Sequence, residues 1–449
     1  MTYQEFKETV VRAAEEKKIA DYELYYEGGW SDSVEIYKEE VKSYSTEESM
    51  GVCFRCIVDG KAGYASTENL TEEEAVSLVL RALENAGSIE SEEECFIHKK
   101  GDDYAVCEKN DSPQPSGAEL VEAALALQKE LYQADPRVTD GTQAYMVYGG
   151  HKFALCNSNG LDLEDEVSMA NCYGMALVEA DGEMYDGFED KDGKSIQDFN
   201  LKEIAEKAVE EAVSTIGAGS VPSGKYTVVF SNKAMATLLA TYSGVFSAEQ
   251  AQKGMSLLKG KEGEKIAADG ITIIDDPRYK DSMMKRSFDG EGVAAYAKNV
   301  VEKGTLLTLL HNLKTAAKEG VKSTGNASKA SYASVVGVSP FTFYMQPSEE
   351  EGSSLDNMLG TAGEGIYVTE VTGLHAGANP ITGDFSLSST GFKIVGGKKD
   401  VPIKNFTVSG NFFTLLKDIE KIGSDLKFMR GKFGAPSVLV RDIAVAGKE

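Results

Sequence analysis

One short stretch, Gly373–Ser386, combines residue types that could line a binding or catalytic site. Its histidine, His375, and its aspartate, Asp384, are separated by an Asn-Pro step at Asn379. Glycine allows positive φ or a close approach of other groups, and Asn-Pro followed by Thr-Gly-Asp predicts consecutive tight turns. We therefore expect a shaped loop that lines a site. His375 either acts on a ligand there or orients the loop by donating to a backbone carbonyl.

Further motifs follow the loop and precede it. Downstream are a Gly-Asn step at Val408–Asn411 and an Ile-Gly-Ser-Asp-Leu step at Ile422–Leu426. Upstream, Ser323–Ala327 and Asn157–Gly160 fit the same pattern. Together with the glycine-rich loop, these motifs resemble the TldD/PmbA family, in particular its PmbA branch, also called TldE. The candidate substrate-binding residues on these motifs are His375, Gly377, Asn379, Asp384, Gly410 and Asn411.

The resemblance also indicates what this chain lacks. In the TldD branch, a His-Glu-x-x-x-His helix and a cysteine near the C-terminus hold zinc, and the glutamate can act as general base. Here Ala240, Thr241 and Val245 occupy the corresponding helix positions, and Phe428–Lys432 contains no cysteine. Alanine and valine have no donor atom for a metal. We therefore predict no catalytic residue, no metal ligand and no cofactor in this chain.

The remaining histidines and a Cys-x-x-Cys pair offer weaker candidates. No two histidines are close in sequence, so a metal site would have to be assembled from distant segments, an alternative that stays open. We expect His98 at the surface, His151 in a turn and His311 at a strand end. Cys53 and Cys56 lie in a predicted strand, where residues three apart point to opposite faces, which predicts two unrelated buried thiols.

Composition excludes several classes of protein. A net charge of −26 repels phosphate backbones, so it disfavours direct nucleic-acid binding. The N-terminal residues lack a signal-peptide pattern, and no apolar run approaches the ~18 residues of a membrane span. Six irregularly spaced cysteines suggest reduced thiols. We therefore expect a cytoplasmic protein without membrane contact.

Periodicity and turn signals predict an α+β fold with a β-rich C-terminal region. A capping box at Thr2 and Glu5 begins a helix over 2–18, and a second box is predicted at Thr71 and Glu74. Strands are predicted at Asp21–Tyr26, Ser33–Lys42, Met50–Val58, Ala62–Ser66 and Lys225–Phe230; turns at Asp59-Gly60, Gly149-Gly150, Asn157–Gly160, Asp181-Gly182 and Asp192-Gly193; and helices at Gly117–Gln133, Leu201–Val213, Ala234–Tyr242 and Leu415–Ile422.

Linker composition divides the chain into three expected domains. Residues 1–110 form an N-terminal α+β domain, 116–216 a central α+β domain, and 225–449 a β-rich domain with a degenerate metallopeptidase site. The linkers are Ser112–Ser116 and the glycine-rich Gly217–Gly224. No internal repeat is evident in the sequence.

The resemblance implies a PmbA/TldE-type subunit whose partner is a TldD-type zinc peptidase chain and whose substrate is a peptide. A homodimer is possible when that partner is absent. Two alternatives remain: a non-enzymatic regulator or scaffold, since the family has been named a modulator of DNA gyrase, and a hydrolase with a relocated site that uses His375 and a carboxylate.

Overall fold

The computed structural model describes residues 1–90, 93–429 and 431–448. In these ranges the α-helices are α1 Tyr3–Glu16, α2 Glu72–Ser88, α3 Gly117–Ala134, α4 Leu201–Ser214, α5 Asn232–Tyr242, α6 Ala248–Gln252, α7 Leu313–Glu319, α8 Leu355–Ala362, α9 Leu374–Gly377 and α10 Phe412–Asp418. No helix among the described residues combines the length and apolar character needed to cross a membrane.

The strands of the first half are β1 Asp21–Tyr37, β2 Glu40–Val58, β3 Lys61–Thr67, β4 Gln143–Asn157, β5 Asp162–Ala180 and β6 Glu183–Gly193. Those of the second half are β7 Gly224–Phe230, β8 Ile273–Asp275, β9 Lys298–Glu302, β10 Thr305–Leu306, β11 Ala327–Ser328, β12 Gly337–Val338, β13 Phe343–Met345, β14 Gly365–Thr372, β15 Asp384–Val395, β16 Lys398–Asn411, β17 Ile419–Ile422, β18 Lys427–Met429, β19 Phe433–Ala435 and β20 Val438–Ala446. The mixture of helices and largely antiparallel sheets confirms the predicted α+β class.

The first six strands form one antiparallel sheet in the order β3-β2-β1-β4-β5-β6. The element order helix, three strands, helix therefore occurs twice, first from α1 to α2 and then from α3 to α4, and the two units join where β1 pairs with β4. Both units use an Asp-Gly hairpin, at Asp59-Gly60 and Asp181-Gly182, with positive φ at all four residues. The structure thus contains a repeat that the sequence does not reveal.

Alternation along the strands assigns the two faces of this sheet. Leu24 and Ile36 of β1 have even numbers and pack under the helices, in two separate clusters with α1–α2 and α3–α4. Tyr25, with an odd number, points to the opposite face, where it clusters with Phe153 of β4 and with Phe288 of the C-terminal region. The C-terminal region therefore packs on the face of the sheet that carries no helix.

The C-terminal region contains two more six-stranded sheets. One has the order β16-β15-β14-β7-β20-β17, and a further pairing of β16 with β20 closes its strands into a ring. The other has the order β10-β9-β8-β13-β19-β18. Helix α5 lies between them in the largest apolar cluster, and its side chains from Met235 to Tyr242 are mostly fully buried.

Several local predictions are confirmed. Thr2 and Glu5 form the reciprocal capping box of α1. Thr71 caps α2 by accepting from the backbone of Glu74, but the Glu74 carboxylate binds Arg81, so the second box is only half formed. Cys53 and Cys56 lie buried in β2 with free thiols, as predicted.

Other local predictions are wrong. The predicted strand Ser33–Lys42 crosses a turn, because Lys38 and Glu39 both adopt positive φ and separate β1 from β2. Gly149-Gly150 is not a turn but lies within β4. The predicted helix Leu415–Ile422 begins earlier, at Phe412, and ends at Asp418, after which β17 follows.

Three histidines can now be placed. His98 is half-buried rather than at the surface, with Nε2 2.8 Å from Asp102. His151 lies exposed in β4 rather than in a turn. His311 is buried directly after Leu310, whose backbone forms an isolated bridge, and burial lowers the pKa of its imidazole. The three are therefore parts of separate local structures.

Candidate functional site

The glycine-rich loop is a set of tight turns held by its own polar groups. Helix α9 is a single turn that begins after Gly373. The Asn379 side chain accepts from the backbone N–H groups of Ile381 (2.9 Å) and Thr382 (3.2 Å), and the Gly383 N–H donates to the Asn379 carbonyl (2.9 Å). These contacts form the Asx-type turn that the Asn-Pro sequence predicts.

Two of the predicted residues, Asp384 and Asn411, face each other across β15 and β16. Asn411 Nδ2 donates to Asp384 Oδ1 (2.9 Å) and to the Thr382 carbonyl (2.8 Å), and the Thr382 hydroxyl donates to Asp384 Oδ2 (2.7 Å). The Asn411 and Thr382 hydrogen bonds hold the pKa of this exposed carboxyl below its ordinary value. Asp384 therefore presents a charged carboxylate to solvent at neutral pH.

The glycines of the site allow close packing inside the loop. A Cβ at Gly377 would clash with the Ser386 carbonyl, and one at Gly410 would come within 2.8 Å of the Phe385 ring. The N–H groups of Gly377 and Gly383 and the carbonyl of Gly383 already pair within the loop. These backbone groups are thus not available to an extended peptide in this conformation, and exposed side chains remain as the contacts the loop can offer.

His375 lies on α9 with its side chain exposed. Among the described residues it has no hydrogen-bond partner, so the alternative of a histidine that orients the loop by binding a backbone carbonyl finds no support. The exposed imidazole is therefore open to a ligand.

Tyr242 at the end of α5 connects the loop to the helix where the zinc motif of the TldD branch would lie. Its hydroxyl donates to the Asp384 carbonyl (2.8 Å), and its ring stacks on Phe412 with centroids 4.6 Å apart. The glycine-rich loop is therefore anchored to the end of α5, although the two are far apart in sequence.

The residues that the resemblance aligns with the zinc motif of the TldD branch lie at the end of α5 and in the turn after it. Ala240 and Thr241 lie on α5, the Thr241 hydroxyl donates to a carbonyl one turn back, and Val245 is buried in the 3₁₀ turn after the helix. The Thr237 hydroxyl donates to Met429 Sδ (3.0 Å), which places β18 beside α5. No group of three or more His, Cys, Asp or Glu side chains within 1–90, 93–429 and 431–448 has the geometry of a metal site.

Sequence reasoning missed a buried ion cluster between the first sheet and the C-terminal region. Arg55 of β2 donates to Glu23 of β1 (3.1 Å) and to Glu291 (3.4 Å), and each side chain is less than 5% exposed. The signal was an arginine within the apolar segment Cys53–Cys56, since a charge in a buried strand needs a partner.

Weakening the Asp384–Asn411 contact should be visible in the titration of Asp384. In an Asn411→Ala variant we expect the pKa of Asp384 to rise toward its ordinary value, because the largest cause of its lowering is removed. NMR titration of the carboxyl carbon measures this. Thr382→Ala should give a smaller rise, and an unchanged midpoint in Asn411→Ala would contradict the observed contact.

Family models match the chain along most of its length. Residues 223–447 match the PmbA/TldA metallopeptidase C-terminal domain. The chain belongs to the PmbA/TldD metallopeptidase family, and its type is that of PmbA/TldE. Residues 22–86 and 110–216 match domain 1 and the central domain of the same PmbA/TldA description.

Two relatives are similar to this chain over most of its length. An uncharacterised protein of Methanocaldococcus jannaschii is 31% identical over 439 residues, which are 95% of this chain and 96% of the relative. Metalloprotease PmbA of Escherichia coli O157:H7 is 26% identical, covering 74% of this chain and 70% of that protein.

Two crystal structures share the fold. A candidate modulator of a DNA gyrase from Thermotoga maritima superposes with a TM-score of 0.90 at 31% identity, covering 99% of this chain and 100% of that chain. TldE from Thermococcus kodakarensis gives 0.89 at 21% identity, covering 98% and 100%. At its lower identity, the second match shows the fold alone.

Proposed function

We propose that this chain is the non-catalytic subunit of a cytoplasmic TldD/TldE-like zinc peptidase, in which a TldD-type partner holds the metal and this chain helps to bind or present the peptide. The observation that carries the proposal is the contact of Tyr242 with the Asp384 carbonyl. The glycine-rich loop contacts α5, and the positions that the family resemblance assigns to the two zinc-binding histidines are Ala240 on α5 and Val245 in the 3₁₀ turn after it. This chain has no counterpart of the zinc ligands of the TldD branch, but it has the glycine-rich loop beside their positions. This combination favours a partner chain that supplies the zinc.

Within this proposal, exposed groups of the loop contact the substrate. His375, Asn379 and Asp384 are exposed. Gly377 and Gly410 shape the loop, because a Cβ at either would meet the Ser386 carbonyl or the Phe385 ring, and Asn411 positions Asp384. An exposed carboxylate and an exposed imidazole on one loop suit the amide groups or a basic side chain of a peptide. Because the partner holds the metal, these groups position the substrate and do not react with it.

The experiment is reconstitution with a TldD-type chain. We expect peptide cleavage by the pair and little by either chain alone, with zinc found in the partner. A His375→Ala/Asp384→Ala variant should lower kcat/KM of the pair at least about tenfold, since a hydrogen bond to the Asp384 carboxylate alone contributes roughly 1.5–3 kcal/mol. Asp400→Ala, an exposed carboxylate on β16, is the matched control.

Two outcomes would contradict the proposal. Unchanged turnover in the loop variant would remove the substrate role of the loop, and zinc-dependent cleavage by the isolated chain would remove the non-catalytic role. Purification from the native cell tests the partner. A zinc-motif chain at equimolar amounts supports the peptidase reading, whereas a gyrase subunit would favour the alternative suggested by the Thermotoga maritima protein.

A further inference from the structure

A cavity of about 350 Å³ lies where the first sheet meets the C-terminal region. Tyr25 and Glu27 of β1 and Phe153 of β4 form one wall. The other wall carries three cationic side chains, which belong to Arg286, Lys329 and Lys432. A local excess of positive charge is unusual in a chain whose net charge is −26, so the cavity needs a physical explanation.

Lys329 lies in this cavity without a hydrogen-bond acceptor. Its Nζ is buried and, among the described residues, forms no hydrogen bond; its ammonium lies 4.7 Å from the centre of the Tyr25 ring. Glu27 Oε2, in the same cavity, is likewise buried and has no donor within the described part of the chain. A buried charge without a partner is costly. A ligand that supplies an acceptor to Lys329 Nζ and a donor to Glu27 Oε2 would therefore be stabilised in this cavity.

The other two cations also have few hydrogen-bond acceptors. Lys432 Nζ donates to the Ser339 hydroxyl (3.2 Å), and burial lowers the pKa of its ammonium. Arg286 lies over the Phe153 ring at 3.7 Å, and its Nε is 3.6 Å from Asp165. An anion in the cavity would give all three cationic side chains a hydrogen-bond acceptor at once.

We propose that this cavity binds the C-terminal residue of a peptide, with the carboxylate held by Lys329, Lys432 and Arg286 and the residue's backbone N–H donated to Glu27. The inference rests on the proposed role in peptide handling and names the end of the peptide that is recognised. In a C-terminal residue the backbone nitrogen is two bonds from the carboxylate carbon. The carboxylate can therefore accept from Lys329 Nζ while the N–H donates to Glu27 Oε2. Inorganic phosphate would satisfy the cations but would bring a second anion next to Glu27.

The rest of the peptide has a path out of the cavity. A neighbouring cleft of about 510 Å³ shares Met284 and Gly431 with it. Tyr145, Met169 and Phe188 line this cleft and offer aromatic and thioether surface to the preceding side chains. We therefore expect the preceding residues of the peptide to follow this cleft.

Calorimetric titration of the isolated full chain tests the proposal. We expect acetyl-Ala-Ala-Leu with a free carboxylate to bind, the same peptide with a C-terminal amide to bind at least about tenfold more weakly, and inorganic phosphate to compete poorly. Lys329→Met, which keeps the length of the side chain and removes its charge, should weaken the acid at least about tenfold and leave the amide unchanged. Lys322→Met, at an exposed lysine outside the cavity, is the control.

Thermal unfolding separates a binding lysine from a structural one. Lys329→Met should keep or raise the Tm in the absence of peptide, because it removes a buried ammonium that lacks an acceptor. A structural lysine would lower it. The proposal is overturned if acid and amide bind equally, if Lys329→Met leaves the acid unaffected, if no peptide binds, or if phosphate binds and the acid does not.

These outcomes differ from those that test the proposed function. A chain that assembles with a zinc partner and supports cleavage, but ignores amidation of the peptide, contradicts only the carboxylate site. A chain that binds the free carboxylate, but neither assembles with a zinc-motif chain nor supports cleavage, contradicts only the subunit role.

Discussion

Replacing Arg55 with methionine is expected to lower the free energy of unfolding by about 3–5 kcal/mol. Arg55 is the cation shared by Glu23 and Glu291, and all three side chains are buried. Without the guanidinium, two carboxylates remain out of water at neutral pH with no counter-charge. Denaturant unfolding at pH 7 measures the loss as a shift of the midpoint.

The chain supplies a matched control for this prediction. Arg441 Nε contacts both carboxylate oxygens of Glu420 (3.0 and 2.9 Å), but each side chain is nearly half exposed. Arg441→Met should therefore cost at most about 1 kcal/mol. Equal losses in the two variants would show that burial of the Arg55 cluster does not matter.

A neutral triple variant sharpens the interpretation. Glu23→Gln/Arg55→Met/Glu291→Gln removes every charge of the cluster, so most of the loss should be recovered. If the triple variant is as unstable as Arg55→Met alone, shape rather than charge dominates at this position. Double-variant combinations would then apportion the effect.

The cluster lies beside the cavity proposed to bind a peptide carboxylate and joins its two walls. Glu23 precedes Tyr25 and Glu27 on the same face of β1, and Glu291 follows Gly290 of the opposite wall. The contact of Glu23 and Glu291 with one guanidinium therefore sets the separation of the two walls. Stability of the junction and binding in the cavity are expected to weaken together.

Local signals predicted much of the fold. Capping residues gave the start of α1, and Asp-Gly pairs gave two hairpins, because both depend on neighbours in sequence. The turn at Lys38-Glu39 was missed because no glycine or asparagine marks it. Gly149 led to the opposite error, because a turn was predicted within a strand. A Cβ there would come within 2.6 Å of the Trp30 carbonyl, so glycine is needed for the close approach of β1 and β4.

The candidate site was predictable as a segment but not as an arrangement. The motif spacing indicated that Asp384 and Asn411 belong to one site, and the strand register brings them opposite each other. Neither the anchoring of the loop by Tyr242 nor the cavity around Lys329 could be read from sequence, because both join segments more than a hundred residues apart. Only tertiary packing brings such groups together.

The unfolding free energy should also depend on pH through Asp289, which neighbours the same cluster. Burial, and then the nearby Glu291 charge, raise the pKa of Asp289 to about 7. A raised folded-state pKa favours folding below the ordinary value near 4, and this contribution is lost as the pH rises through about 7. About three pKa units correspond to roughly 4 kcal/mol, so stability should fall between pH 4 and pH 8.

Asp289→Asn tests this dependence because the amide imitates the neutral acid. The backbone N–H groups of Glu291 and Val293 donate to Asp289 Oδ1, and that of Ala327 donates to Oδ2. The protonated acid and the amide both keep the acceptor at Oδ1, and both lose the hydrogen bond at Oδ2. We expect the variant to match the wild type near pH 5 and to exceed it near pH 8. Asp281→Asn, at an exposed aspartate, should run parallel to the wild type. Parallel curves for Asp289→Asn as well would mean that this buried carboxyl does not take up a proton on folding.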